Sequence, residues 1–388
     1  MEHTSHPVPE QKKKILILSC KGGFGHESAR LSIEAMGREH YAFTTVFPIE
    51  EVSRVGPYVG ANIYNTLIKN NWIRTMNLIG NKLAPLWLQA KTSEIRDRME
   101  EFIVRYQPDL ILSVIPFVNY PAVEAARKHQ IPYLLVTIDN DLTNWVHGLR
   151  RVMHEELVVT IGRCHPLTRG LLRAERVQDK SIKTIGFPIH PSFHCLGDNE
   201  QIKKNLGIHV EKPIVMIMMG GAGGMGALAY VRELQQLNLP LHVIVCTGNN
   251  SVLYEKVQEV VKERKSLATF SVLQFTNAIA NLMQISDLLI TKPGPGTINE
   301  AIMRKLPILV DNTNSTLAWE RINLDMVQDL GLGAILSKVE EVKQWVPLFL
   351  YDKKKKEEIA KTYAQMPMPA FAEHLQHILQ SMLSSVCP

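Results

Sequence analysis

The segment DLLITKPGPGTINEAIMRKLPILV, Asp287 to Val310, breaks an apolar run with Lys292-Pro-Gly-Pro-Gly and restarts as a helix carrying Glu300. Gly294 and Gly296 allow a helix N-terminus to approach a ligand closely, and the N–H groups exposed there suit an anionic phosphate. Pro293 and Pro295 have no N–H to give, so the expected phosphate donors are Gly296, Thr297 and Ile298. Glu300 then has two open readings. Thr297-Ile-Asn-Glu300 has the spacing of a capping box, in which the glutamate returns a hydrogen bond to the helix start. Alternatively Glu300 accepts hydrogen bonds from ribose hydroxyls beside a diphosphate, since a carboxylate aimed at the diphosphate itself would repel it.

A second glycine-rich turn, Gly220–Gly226, has the spacing GxGxxG at Gly221, Gly223 and Gly226. A nicotinamide dinucleotide site would want an acid at the end of the next strand. That strand ends in Thr247-Gly248-Asn249, with no acid, which leaves a backbone cradle for phosphate. At the other end of the chain, KGGFGHES places His26 at the start of a helix, between flanking glycines that leave room for a substrate. The positive end of a helix disfavours imidazolium and keeps such a histidine available as a base near neutral pH. A solvent-exposed turn residue is the plainer reading. Asp139-Asn-Asp141 is a DxD triplet, suited either to a divalent metal or to capping a helix. No metal ligand set is convincing, and no metal or other cofactor is expected.

These residues need a scaffold that presents loops together. Buried-strand runs at Lys14–Cys20, Asp109–Phe117, Pro132–Asp139 and Ile182–Phe187 alternate with helices near Glu27–Arg38 and in PAVEAARKH. GFPIHPSF then reads as a linker, and the same alternation restarts with PIVMIMM, LHVIVC, SVLQFT, DLLITK and PILVD. Strands alternating with helices predict α/β architecture with mostly parallel sheets, twice over, facing a central cleft. Ligands are expected at the carboxyl ends of the strands. The lysine run Lys353–Lys356 reads as a solvated helix start.

The 388 residues suit two domains, and 45% hydrophobic with 21% charged residues is a globular balance. No apolar run approaches the roughly 20 residues that span a bilayer. The polar N-terminal stretch reads as a loose tail, not a signal peptide. Five scattered cysteines with no CxxC pair argue for reduced thiols and against a zinc site. The net charge of +5 lies in residues 1–190, with 24 Lys and Arg against 19 Asp and Glu. That surplus is either surface noise or a face for anionic lipid headgroups.

Taken together, ITKPGPGTINEAIMRKLPI, GGFGH, GFPIHPSF, MGGAGGMG and Phe275-Thr-Asn277 resemble the inverting lipid glycosyltransferases that include monogalactosyldiacylglycerol synthases and diacylglycerol glucosyltransferases. The lipid II-forming transferase is a more distant relative of that group. The resemblance covers nearly the whole chain and implies a GT-B fold. It implies an N-terminal acceptor and membrane domain over 1–190, a C-terminal nucleotide-sugar domain over 191–365, and a helical segment over 366–388 returning to the first domain. It implies donor contacts from Gly220, Gly221, Gly223, Gly224, Phe275, Thr276, Asn277, Gly294, Gly296, Thr297, Glu300, Glu320 and Asn323. Catalysis would fall to His26 or Asp139. Helix ends would stand in for a metal at the leaving diphosphate.

The sequence departs from that pattern at Trp319, where the family carries Gln, at Ile138, where an Asp would fall, and at Leu142, which replaces a His. The implied activity is transfer of a glucose or galactose from a UDP-sugar to a lipid such as diacylglycerol. The implied location is cytoplasmic, peripheral to the membrane, with no nucleic acid partner. A UDP-sugar 2-epimerase and a non-catalytic nucleotide-sugar or lipid-binding regulator on the same fold remain open alternatives. Residues Val55–Lys91 mix aromatics with cations. They read either as core helix plus loop or as an interfacial patch, with Gly23, Gly25, Tyr64, Lys69, Trp72, Arg74, Lys82 and Trp87 on the acceptor and membrane side.

Overall fold

The computed structural model describes residues 12–21, 24–52, 66–67, 70, 72–208, 211–263, 265–368 and 370–384. The first sheet contains β1 (Lys13–Leu18), β2 (Tyr41–Val46), β3 (Leu110–Ser113), β4 (Tyr133–Val136), β5 (Leu157–Ile161) and β6 (Ile182–Thr184), in the order β2-β1-β3-β4-β5-β6. The second contains β7 (Ile214–Met218), β8 (His242–Cys246), β9 (Thr269–Leu273), β10 (Leu288–Thr291), β11 (Ile308–Asp311) and β12 (Gly333–Leu336), in the order β12-β11-β10-β7-β8-β9. The strands pair in parallel throughout, so every connection crosses over through helical or irregular chain on a face of the sheet. Strands β3, β4, β7 and β10 are buried at every position and apolar but for Ser113 and Thr291 at their ends, as strands covered on both faces must be. This is the GT-B arrangement.

Register decides which loops meet. Leu18 pairs with Ser113, and Ser113 with Leu135, so the chain leaves β1, β3 and β4 at one edge. His26 and Asp139 are brought together there. In the second sheet Met218 pairs with Thr291 and with Cys246, and Thr291 pairs with Val310. The glycine-rich turn after β7, the Lys-Pro-Gly-Pro-Gly turn after β10 and the loop after β11 therefore emerge side by side.

The proline-rich junction is clipped by Arg304, whose Nη2 donates to Ser192 O and Cys195 O at 2.9 Å each, with its guanidinium over the Phe193 ring. Phe371, Leu375 and Leu379 of the last helix, Phe371–Ser384, join a buried cluster with Ile15, Ile17 and Leu110 of the first sheet. The lysine run opens an exposed helix, Lys353–Gln365, capped by Asp352, which accepts from Lys355 N.

Among the described residues, side-chain contacts tie the halves together. Asn140 Nδ2 donates to Asn323 Oδ1 at 2.7 Å. The Asn77 side chain donates to Thr316 O and accepts from Ala318 N, both at 2.9 Å. Trp319 packs over Gly80 within a small apolar cluster that also holds Leu67, Met76, Ala222 and Leu317. Among the described residues no helix is long and apolar enough to cross a membrane.

Candidate active site

On the first domain His26 sits in the opening turn of the helix Phe24–Gly37, half-buried. Its Nδ1 lies 2.8 Å from Val114 O, just past β3. A carbonyl can only accept, so Nδ1 carries the proton and Nε2 of the neutral ring keeps its lone pair. Burial pushes the imidazole below its usual 6.5, against the opposing pull of that carbonyl. His26 also faces the Trp145 ring, with centroids 5.9 Å apart. Trp145 Nε1 donates to Asp139 Oδ2 at 2.9 Å, so both candidate bases belong to one cluster. Burial pushes the Asp139 carboxyl up to about 7; Glu320 and Asp141 push the same way, while the Trp145 N–H and Lys292 oppose. Glu320 and Lys292 belong to the second domain, so Asp139 already feels the opposite wall of the cleft.

Asp141 is occupied locally. Its Oδ1 accepts from Thr143 N and Thr143 Oγ1, which makes the second acid of the triplet a turn-forming residue before the short helix Thr143–Val146. Ile138 and Leu142, the two apolar departures, are buried beside it. Gly25 is exposed, with Ile138 near its β-position.

On the second domain the helix Pro295–Met303 begins three residues earlier than the capping-box reading required. Gly294 is its N-cap, without a side-chain cap, and Thr297 already lies inside the helix. Glu300 is therefore a full turn in and does not cap, which removes the capping-box reading. Burial alone pushes its carboxyl up to about 7. Ile298 N donates to Gly294 O as an ordinary helical bond, so the expected phosphate donors shrink to Gly296 and Thr297. Among the described residues nothing lies within 4 Å of the β-position of Gly296, which leaves an open approach.

The other glycine turn is a shaped wall more than a set of donors. Gly223 holds φ 75°, and a β-carbon there would fall 1.9 Å from Thr247 O. Gly223 N and Gly224 N donate to Gly220 O and Met219 O, so those two N–H groups are turned inward, contrary to their expected part as ligands. Gly220 and Gly221 are half-buried, and Ala222 is buried in the apolar cluster with Leu317. Phe275 and Asn277 are exposed after β9, and Thr276 Oγ1 accepts from Ala278 N to shape that loop.

Lys292 was not among the expected site residues, although it opens the diagnostic turn. Its Cε would lie 3.0 Å from a β-carbon at Gly220 and 3.4 Å from one at Gly294. The ammonium thus stands between the two glycine turns. There it pairs with Glu320 at 2.7 Å, a carboxylate only 5% exposed. Glu320 sits on the short turn Ala318–Glu320. Asn323, expected to contact a donor, is fully buried instead. Its Nδ2 donates to Pro293 O and its Oδ1 accepts from Asn140, so it fixes the Lys-Pro-Gly-Pro-Gly turn and joins the domains. The pocket between these elements is lined by Gly224, Gly226, Lys292, Asp311, Asn314 and Glu320, with Ile73 reaching in from the first domain.

Residues 73–90 form the helices Ile73–Leu78 and Ala84–Ala90 around a π-helical turn, Ile79–Leu83. The inner face buries Met76, Gly80 and Leu88. The outer face exposes Trp72, Leu78, Leu83, Leu86 and Trp87, with Trp72 59% and Leu86 64% exposed, beside exposed Arg74 and Lys82. The described part is thus a helical segment with one face in the core and an outer face that leaves aromatic and aliphatic side chains exposed. Gly23, Tyr64 and Lys69 lie outside the described residues.

Residues 214–316 match the model of the glycosyltransferase family 28 C-terminal domain. The family 28 match begins at β7 and ends in the loop after β11, so it contains both glycine turns, Lys292 and Glu300. Over nearly all its length the chain is also similar to two kinds of curated relative. One is the chloroplastic monogalactosyldiacylglycerol synthase of Spinacia oleracea, 28% identical over 87% of this chain and 66% of that protein. The other is the processive diacylglycerol beta-glucosyltransferase of Bacillus pumilus, 24% identical over 96% of this chain and 94% of that protein. The chain thus spans just under two thirds of the length of the spinach relative. Among solved structures, MurG of Acinetobacter baumannii superposes with a TM-score of 0.65 at 18% identity, covering 96% of this chain and all of that one.

Proposed function

We propose that the chain transfers a hexose, glucose or galactose, from a UDP-sugar to a lipid hydroxyl such as that of diacylglycerol. The transfer proceeds with inversion at the cytoplasmic surface of a membrane, to which the protein is peripherally bound. One observation carries the reading. The helix end at Gly296 and Thr297, beside the Lys292 ammonium, belongs to the wall whose Lys292 and Glu320 charges reach Asp139, and Asp139 is joined through Trp145 to His26.

The chemistry follows from that arrangement. The diphosphate of the donor lies on the helix end, where backbone N–H groups and Lys292 meet its charge, and Glu300 accepts from the ribose hydroxyls. Phe275 offers an exposed ring to the base. The sugar occupies the pocket beside Glu320. The acceptor hydroxyl enters from the first domain and gives its proton to His26 Nε2, with Asp139 the alternative base. The oxygen attacks the anomeric carbon opposite the departing diphosphate, so a new C–O bond forms as the old one breaks and the configuration inverts. The exposed outer face of residues 72–87 supports docking on lipid, its tryptophans at headgroup depth and its cations toward anionic headgroups.

The test is the stereochemistry of the product. Incubation with diacylglycerol vesicles and an α-linked UDP-glucose or UDP-galactose, followed by organic extraction and NMR, is expected to give a β-glycoside. A sugar epimerised at C2 with no lipid product would favour the isomerase alternative.

A further inference from the structure

The pocket holds one carboxylate that the transfer chemistry above leaves unused. Asp311 closes β11, whose Val310 is in register with Thr291, so the side chain reaches the same mouth as Lys292. Three donors fix one oxygen: Oδ1 accepts from Tyr230 OH at 2.8 Å, Thr313 Oγ1 at 2.7 Å and Thr313 N at 3.0 Å. Tyr230 is itself 1% exposed, so the carboxylate is locked from behind. The other oxygen, Oδ2, turns toward the pocket, 3.7 Å from where a β-carbon of Gly226 would stand. A carboxylate aimed there repels a diphosphate and accepts from a neutral hydroxyl.

We infer that Asp311 is a specificity-determining residue whose Oδ2 accepts a hydrogen bond from a hydroxyl of the hexose. This assignment rests on the transfer reading above. The geometry is that of a preorganised reader. The Lys292–Glu320 pair lines the same pocket as Asp311, so a sugar held there, with its diphosphate on Gly296 and Thr297, comes within reach of Oδ2. An acceptor locked in place discriminates strongly, because a sugar that presents no hydroxyl to it leaves a desolvated oxygen without a partner.

Asp311→Asn is the informative variant, since it keeps an oxygen for the three fixed bonds and replaces Oδ2 by an amide nitrogen. Calorimetry with UDP, UDP-glucose and UDP-galactose separates the sugar from the nucleotide. UDP is expected to bind within about twofold of wild type. The preferred UDP-sugar is expected to bind about tenfold weaker, with KM raised by a similar factor and kcat little changed. Equal weakening of UDP and UDP-sugar would reduce Asp311 to a loop-shaping residue and overturn the assignment, as would no change in either. If the wild-type protein binds UDP-sugar but transfers nothing, the transfer reading fails, and the binding comparison alone still decides Asp311. Should Asp311→Asn not fold, Tyr230→Phe, which frees one bond to Oδ1, is expected to weaken UDP-sugar about threefold without affecting UDP, and an unchanged ratio overturns the proposal.

Discussion

A β-carbon at Gly80 would come within 2.6 Å of the Trp319 ring. The residue that stands where the resembled family carries Gln is thus spent on the π-helical turn of the first domain, one position before the Glu320 that pairs with Lys292. Gly80→Val is expected to destabilise by about 1–3 kcal/mol through overpacking. In a Trp319→Ala background most of that penalty should vanish, because the two residues share one contact. Unfolding by denaturant of the four proteins checks it; strictly additive costs would mean that the ring does not rest on this turn in solution.

The two candidate bases are separable by pH. A base must be unprotonated, so activity through His26 falls only as pH drops below a value under 6.5, whereas activity through Asp139 is lost as pH falls through about 7. The kcat profile is expected to stay flat through pH 7. His26→Ala is expected to lower kcat by roughly two to four orders of magnitude with UDP affinity unchanged. A wild-type inflection near 7 that persists in His26→Ala would hand the role to Asp139.

Glu300 makes nucleotide binding proton-linked. Its carboxyl stands at about 7 in the free protein, and ribose hydroxyls donating to it favour the ionised form. Its pKa therefore drops on binding, so UDP affinity should rise with pH through about 7, with proton release near neutral pH. Calorimetry in buffers of different ionisation enthalpy measures this. The release is expected to disappear in Glu300→Gln, and Glu300→Ala should cost about 1–3 kcal/mol of UDP binding. Identical proton release in wild type and Glu300→Gln would take the ribose away from this residue.

Membrane attachment should depend on residues 72–87 and on salt. Arg74→Ser with Lys82→Ser is expected to cost about 2 kcal/mol of binding to anionic vesicles, because each cation near the surface contributes about 1 kcal/mol and salt screens it. Trp72→Ala should weaken attachment to neutral and anionic vesicles alike, since its contribution is apolar. Flotation reads both. Wild-type flotation of the double variant at low salt would move the lipid face elsewhere.

Most buried central strands were legible because sheets covered on both faces demand apolar runs, as in β7 and β8, but the largely buried β5, LVVTI, was not among the expected strands. The edge strand β2 was not legible, since its exposed and half-exposed middle residues leave no such run. Short β12 begins at Gly333 and escaped for the same reason. The glycine turns and His26 could be found from local grammar. The local pattern at Thr297 misled, because Pro295 starts the helix before the apparent box. The roles of Lys292, Asn323 and Trp319 depend on partners far away in sequence, Glu320, Asn140 and Gly80, and no local pattern carries that information.

Transfer itself is the decisive measurement. Purified protein is mixed with diacylglycerol vesicles containing anionic lipid and with radiolabelled UDP-glucose or UDP-galactose, and label is counted in the organic phase. One of the two sugars is expected to enter the lipid fraction, and the rate should survive EDTA, since Lys292 and the N–H groups of Gly296 and Thr297 meet the leaving charge in this account. Loss of transfer to His26→Ala with UDP binding retained would complete the case. Tight UDP-sugar binding with no label in lipid would contradict the account and leave a regulator, and activity abolished by EDTA and restored by manganese would displace the helix end from its assigned role.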